Sequence, residues 1–185
     1  MHAKILAQAD RAIALAPDNW RAYWAKCTYL FLSQRANEAL GAADAALAGN
    51  PNSAPLYPAR GVSETSLGRF EQAKSDLREA MRLSPRDAKI GTWRMQVGSA
   101  ELEQGHYDAS IDELHKAIES GNRSYIPYAN LAAAYAFEGK MDEAKSALAE
   151  ARRLNPSLTV KWAIAHSPNL PNLFDGLRKA GLAEE

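Results

Sequence analysis

An all-α fold of stacked helix pairs is what this sequence predicts, and three observations predict it. Residues 68–85, GRFEQAKSDLREAMRLSP, return at 139–156 as GKMDEAKSALAEARRLNP, with ten of the eighteen positions identical. Pro17, Pro51 and Pro85 stand 34 residues apart, and Pro156 closes the series. Between these marks the apolar residues recur at helical spacing. A period of this length marks a supersecondary unit stacked on copies of itself.

Other positions keep the same ruler. Ala46, Ala80, Ala117 and Ala151 follow spacings of 34, 37 and 34, as do Ala39, Ala73, Ser110 and Ala144. Gly68, Gly105 and Gly139 obey the rule as well, with Gln34 in the first glycine slot. One insertion of three residues accounts for every departure.

Taken in order, residues 3–16 form one helix that closes at Pro17. It has the pattern of the second helix of a pair whose first helix is missing, which points to a fragment of a longer parent. Paired helices follow at about 19–33 and 36–48, 54–67 and 70–83, 86–104 and 107–120, and 125–138 and 141–154. Gly139 ends the helix before it, since glycine accepts the left-handed conformation at a helix C-terminus. Pro156 stops the last one, having no N–H for the next backbone bond. Ser84-Pro85-Arg86-Asp87 has the composition of a helix start, with Ser84 as N-cap. The three extra residues are therefore expected to lengthen the third pair's first helix at its front. Pro55 and Pro127 fall in first turns, while Pro58 is deeper and is expected to delay its helix. After Pro156, residues 158–165 continue as a helix that covers the last pair with Val160, Trp162 and Ile164. Pro168 and Pro171 break the chain, and a short helix at 172–180 places Leu173, Phe174 and Leu177 on one side.

The carrying residues of this pattern are Tyr57, Gly61, Leu67-Gly68, Phe70, Ala73, Leu77, Ala80 and Pro85 in the second pair. In the fourth they are Tyr128, Leu131, Ala132, Tyr135, Gly139, Ala144, Leu148, Ala151 and Pro156. Together they resemble the tetratricopeptide repeat (TPR) family over about 18–158. The resemblance implies an α-solenoid superhelix of four repeats, 18–53, 54–87, 88–124 and 125–158. A half-repeat at 1–17 precedes them, and a capping segment at 159–185 follows. Residues DGLRKAGL, 175–182, and RLSPRD, 82–87, are similar to the C-terminal repeat region of bacterial class III adenylate or guanylate cyclases and winged-helix regulators. That likeness implies a regulatory module of a signalling protein.

The resemblance also implies that the first helices of the repeats line a concave groove. The partner-binding residues expected there are Trp24, Thr28, Phe31, Leu32, Val62, Met95, Leu102 and Phe137. An apolar and aromatic groove of this kind suits a peptide or the apolar face of a helix. The slots that hold a lysine–asparagine clamp for a terminal carboxylate in some relatives are taken here by Trp24 and Thr28. Two readings stay open beside groove binding. The chain's own C-terminal segment covers several of these residues, or the half-repeat at 3–16 pairs with a second copy to form a homodimer.

Charge sits in slots that should face the stack. Arg60 and Glu64 stand where the fourth pair has Leu131 and Tyr135, and Arg94 and Glu101 take core-facing slots in the third. The expectation is a polar seam between the second and third pairs in which the two arginines pair with the two glutamates, because a buried charge must be paired; the alternative is that the long stems snorkel and their charged heads reach water.

The remaining chemistry is sparse. Lys and Arg total 22 and Asp and Glu total 22, so no net charge argues for nucleic acid or an anionic membrane. No apolar run is long enough for membrane insertion. Cys27 is the only cysteine and takes a small-residue slot shared with Gly61, Gly98 and Ala132, which suits packing. His2, His106, His115 and His166 are scattered without metal-ligand spacing. No phosphate loop, nucleophile elbow or dinucleotide fingerprint occurs. The expectation is a non-catalytic protein without cofactor or metal, in a cytoplasmic setting.

Overall fold

A computed structural model describes residues 2–166 and 169–185. Its regular structure is helical throughout the described residues: α1 (His2–Leu15), α2 (Trp20–Leu32), α3 (Ala36–Gly49), α4 (Leu56–Ser66), α5 (Phe70–Leu83), α6 (Ile90–Glu103), α7 (Tyr107–Glu119), α8 (Ile126–Phe137), α9 (Met141–Leu154), α10 (Val160–His166) and α11 (Pro171–Ala180). The fold is all-α, of the helix-pair solenoid class expected. The chain divides into two compact halves, residues 1–87 with α1–α5 and residues 88–185 with α6–α11.

In the N-terminal half, α2 pairs with α3 and α4 with α5, and α1 packs on α2. Close approach within each pair depends on the small-residue slot. Cys27 is buried there and its thiol donates to the Ala39 carbonyl at 3.5 Å. Burial pushes that thiol up to about 11, so it is a packing group rather than a thiolate. A Cβ on Gly61 would lie 3.3 Å from the Ala73 carbonyl oxygen, which shows how near α4 and α5 run. Helix α4 begins at Leu56, two residues later than the sequence suggests, which leaves Pro58 inside the first turn where its missing N–H is harmless. Ser63, Thr65 and Ser66 of α4 each return their hydroxyl to a carbonyl one turn back, which satisfies them within the helix. At the turn before α3, Gln34 takes φ 59°, a left-handed conformation that its glycine counterparts Gly68, Gly105 and Gly139 also take.

In the C-terminal half, α6 pairs with α7 and α8 with α9, and the two pairs stack through α6–α8 and α7–α8 contacts. The small-residue slot is tighter here. The Ser110 hydroxyl donates to the Gly98 carbonyl at 2.8 Å, and a Cβ on Gly98 would come within 2.7 Å of the Leu114 side chain. Helix α6 does extend about a turn further forward than α4 in repeat register, but it starts at Ile90. Ser84 does not cap it. Ser84 ends α5 instead, and its hydroxyl lies 3.5 Å from the Asp87 carboxylate across an intervening turn.

The chain after α9 folds back onto this half. Thr159 Oγ1 accepts the Trp162 N–H at 3.1 Å and opens α10. The tail after α11 supplies the Ala183 and Glu184 carbonyls to the Val160 and Lys161 N–H groups, both at 3.0 Å. Val160 is buried and Trp162 half-buried, both in the core of this half, whereas Ile164 is 38% exposed and lies outside that core cluster, unlike the expectation that it helps to cover the last pair. Pro168 lies outside the described residues. Pro171 opens α11, which buries Leu173, Phe174 and Leu177 as its spacing predicts.

Candidate functional site

Within each half, the candidate surface is the face made by the first helices of its pairs. In the N-terminal half these are α2 and α4, which touch one another and their neighbours α1, α3 and α5. Trp24 is 39% exposed and Leu32 is 74% exposed. Thr28 and Val62 are half-buried. Phe31 is half-buried too and packs on the core around Cys27 and Leu30.

The corresponding helices of the C-terminal half, α6 and α8, are covered. Helix α11 packs on both and joins one core cluster with them. Met95 and Leu102 are buried in that cluster, with Leu102 at 0% exposure. Phe137 stacks on Tyr107 with centroids 4.7 Å apart, and the Lys179 ammonium stands 5.5 Å from its ring centre. Of the eight residues expected to form a partner surface, Met95 and Leu102 are therefore covered by the protein's own packing. The signal for this was the apolar stripe of the last helix together with the apolar first-helix positions.

The attachment of α11 is polar as well as apolar. The Glu103 carboxylate accepts the Asn172 N–H at 3.0 Å and the Leu173 N–H at 2.9 Å. It thus satisfies two of the N–H groups that a helix start leaves without partners. Burial raises the Glu103 carboxyl above the ordinary range, against the pull of those two bonds. In return the Asn172 side-chain amide donates to the Leu102 and Glu103 carbonyls at 3.2 and 2.9 Å, at the C-terminal end of α6. At Gly176 the two helices meet so closely that a Cβ would lie 2.5 Å from Ala133 Cβ. Sequence reasoning assigned no role to Asn172 or Gly176, because their partners lie far away along the chain.

The charged slots choose other partners than expected. Arg60 holds Asp76 of α5 through two bonds, at 2.5 and 2.6 Å, and reaches Asp44 of α3 at 3.1 Å. Glu64, 7% exposed, keeps one carboxylate oxygen without a donor. Burial, then the neighbouring Asp76 carboxylate, pushes Glu64 up to about 7, with Arg60 opposing. Arg94 pairs with Glu113 at 3.0 Å, and Glu101 receives His106 at 2.9 Å. The expected pairs with Glu64 and Glu101 give way to carboxylates on the facing helices: Asp76 takes two bonds from the Arg60 guanidinium, and Glu113 takes one from Arg94.

Among the described residues, no three His, Cys, Asp or Glu side chains gather as a metal site would need. No described helix is long and apolar enough to cross a membrane.

Residues 54–87 and 127–158 match the tetratricopeptide repeat family. No curated protein matches the chain. Among solved structures the chain is similar to PilW, described as a widely conserved type IV pilus biogenesis factor, at 16% identity and TM-score 0.78, covering 95% of this chain and 82% of that one. It is similar to a thermophilic TPR protein of Thermus thermophilus at 22% identity and TM-score 0.68, covering 90% of this chain and 89% of that one. It is also similar to YrrB, described as a TPR protein with an unusual peptide-binding site, at 20% identity and TM-score 0.65, covering 93% of this chain and 90% of that one. At these identities the likeness is one of fold.

Proposed function

We propose that this tetratricopeptide-repeat protein is a non-catalytic, cytoplasmic scaffold that holds a peptide or protein segment on the α2–α4 face of its N-terminal half. The observation that carries the reading is the exposure of Trp24 and Leu32 beside half-buried Thr28, Phe31 and Val62. An exposed tryptophan in an apolar setting is a strong anchor for a partner side chain. YrrB, a protein of like fold, is described as having an unusual peptide-binding site, which supports a peptide-holding role. In this reading residues 1–17 are a half-repeat, 18–158 are four repeats, and 159–185 close the array. The likeness of residues 82–87 and 175–182 to bacterial cyclase and winged-helix regulators supports a place as the regulatory module of a signalling protein.

A display selection of peptides on the full chain tests this, with affinities then measured against Trp24→Ala. The expected result is at least a tenfold loss of affinity. Unchanged affinity for every selected peptide would remove the α2–α4 face from consideration. A second reading, self-association through α1, is favoured by the exposure of Ile5 and Leu15 on that helix. Sedimentation at two concentrations separates the two, because a strict monomer excludes it.

A further inference from the structure

Arg60 stands among three carboxylates of the N-terminal half and bonds two of them. Its Nε and Nη2 donate to the two oxygens of Asp76 on α5, and its Nη1 donates to Asp44 on α3 at 3.1 Å. Glu64 follows Arg60 by one turn on α4, a spacing at which helical side chains meet, yet it takes no bond from the guanidinium. The charges acting on the Glu64 carboxyl come from Asp76 on α5, Asp44 on α3, Arg60 on α4 itself and Arg69 in the turn before α5. Helix α2, which also packs on α4, adds none to this set. Lys74 of α5 is buried and pairs with Glu71 at 2.8 Å.

The three carboxylates are not equivalent. Glu64 is 7% exposed and keeps one oxygen without a donor. Burial and the neighbouring Asp76 push it up to about 7, so it is mostly neutral in mild acid and an anion in mild alkali. A neutral carboxyl tolerates that setting, whereas a buried anion must be paired. Arg60 is the cation one turn away, and only one of its two partners can be given up. The Asp76 side chain is 7% exposed and depends on both of its bonds. The Asp44 side chain is 55% exposed, so water replaces its lost bond at small cost. Trading Asp44 for Glu64 keeps every buried carboxylate paired, while an Arg60 that stays in place leaves one buried anion short.

We propose that Arg60 is a pH-operated clasp between the first two helix pairs. With Glu64 protonated, Arg60 ties α4 to both α3 and α5, as the structure shows it. When Glu64 loses its proton to solvent, the guanidinium tilts, and Nη1 leaves Asp44 for Glu64 while the two bonds to Asp76 persist. The exchange undoes the ion pair between α3 and α4 and keeps the one between α4 and α5. Helix α3 is the second helix of its pair and packs on α2 as well as on α4, so the tie that is lost joins one pair to the next. The clasp does not rest on the function proposed for the α2–α4 face. An immobile Arg60 would also leave Glu64 with a pH-dependent stability, but without any exchange of partners.

Crystal structures of the full chain at about pH 5.5 and about pH 8.5 read the exchange directly. Arg60 Nη1 is expected within hydrogen-bond distance of Asp44 in the first and of Glu64 in the second, with Asp76 held in both. Carbon-13 titration of the side-chain carboxyls is the counterpart in solution. The Glu64 signal is expected to titrate at about 7, and the Asp44 signal to shift with the same midpoint. In Glu64→Gln the shift at Asp44 is expected to vanish, and Arg60 to stay on Asp44 at both pH values. Arg60 on Asp44 in both wild-type structures would overturn the proposal, as would a Glu64 that is already ionised at the lower pH or still protonated at the higher. A bond from Arg69 to Glu64 at the higher pH, with Arg60 unmoved, would overturn it too, since another cation would then meet the charge.

Discussion

Glu103 and Asn172 cap one another's helices: the carboxylate accepts from two N–H groups at the start of α11, and the side-chain amide donates to two carbonyls at the end of α6. Removing either residue leaves backbone groups without partners at a helix end. Glu103→Ala is therefore expected to lower the stability of the α11 docking by about 1–3 kcal/mol. Glu103→Gln keeps one acceptor and should lose about half as much. Hydrogen exchange across 171–180 checks the order; equal rates in all three proteins would refute the capping role.

Arg60 makes a different kind of prediction, because its partner Asp76 is buried. Arg60→Met strands that carboxylate and is expected to cost about 3 kcal/mol, at the low end for a buried pair since the arginine is partly exposed. Replacing both, as Arg60→Met with Asp76→Leu, should recover most of the loss. Urea unfolding of the two proteins gives the comparison. A single variant as stable as the wild type would show that the pair contributes nothing.

Glu64 gives the N-terminal half a pH-dependent contribution to stability. Its folded pKa, about 7, lies above the ordinary carboxyl value of 4.5, so the folded state holds the proton more tightly than the unfolded chain. Stability from this group is complete below pH 4.5 and falls as pH rises towards 7, where the buried carboxylate must ionise without a full set of donors. Glu64→Gln removes the slope. At about pH 8 it is expected to be about 2–3 kcal/mol more stable than the wild type, and at about pH 4 equal to it. Unfolding midpoints across that range decide; a variant that is less stable at the alkaline end would mean the carboxylate is satisfied.

The repeat was legible in the sequence because its signals are local. Proline and glycine act on their own backbone, and an alanine slot in each repeat acts on the adjacent helix, so α2 to α9 fall within a few residues of their expected bounds. Ser84-Pro85 misled for the same reason. It has the composition of a helix start, yet Ser84 is already used to end α5. Spacing on one helix also misassigned Arg60. Glu64 is one turn away, but Asp76 approaches from α5 with both oxygens. The α11 attachment was legible only as an open alternative. Its apolar stripe could be read, but Glu103 to Asn172 and Gly176 to Ala133 are contacts between segments whose register no periodicity specifies.

Gln34 offers the sharpest check on the repeat logic itself. It occupies the slot held by Gly68, Gly105 and Gly139, and it adopts the same positive φ, 59° against 73°, 78° and 75°. A side chain in that region costs about 1–2 kcal/mol through crowding of Cβ against the backbone. Glycine escapes that strain but loses more freedom on folding, which offsets part of the gain. The side chain of Gln34 is exposed, so little packing is given up. Gln34→Gly is therefore expected to stabilise the chain by about 0.5–1 kcal/mol, read as a rise in the urea midpoint with an unchanged slope. The reverse change at the equivalent turn, Gly139→Gln, should destabilise by a similar amount. If Gln34→Gly lowered the midpoint, the left-handed turn would be held by the glutamine rather than in spite of it, and the glycine slot would not be a backbone requirement of the repeat.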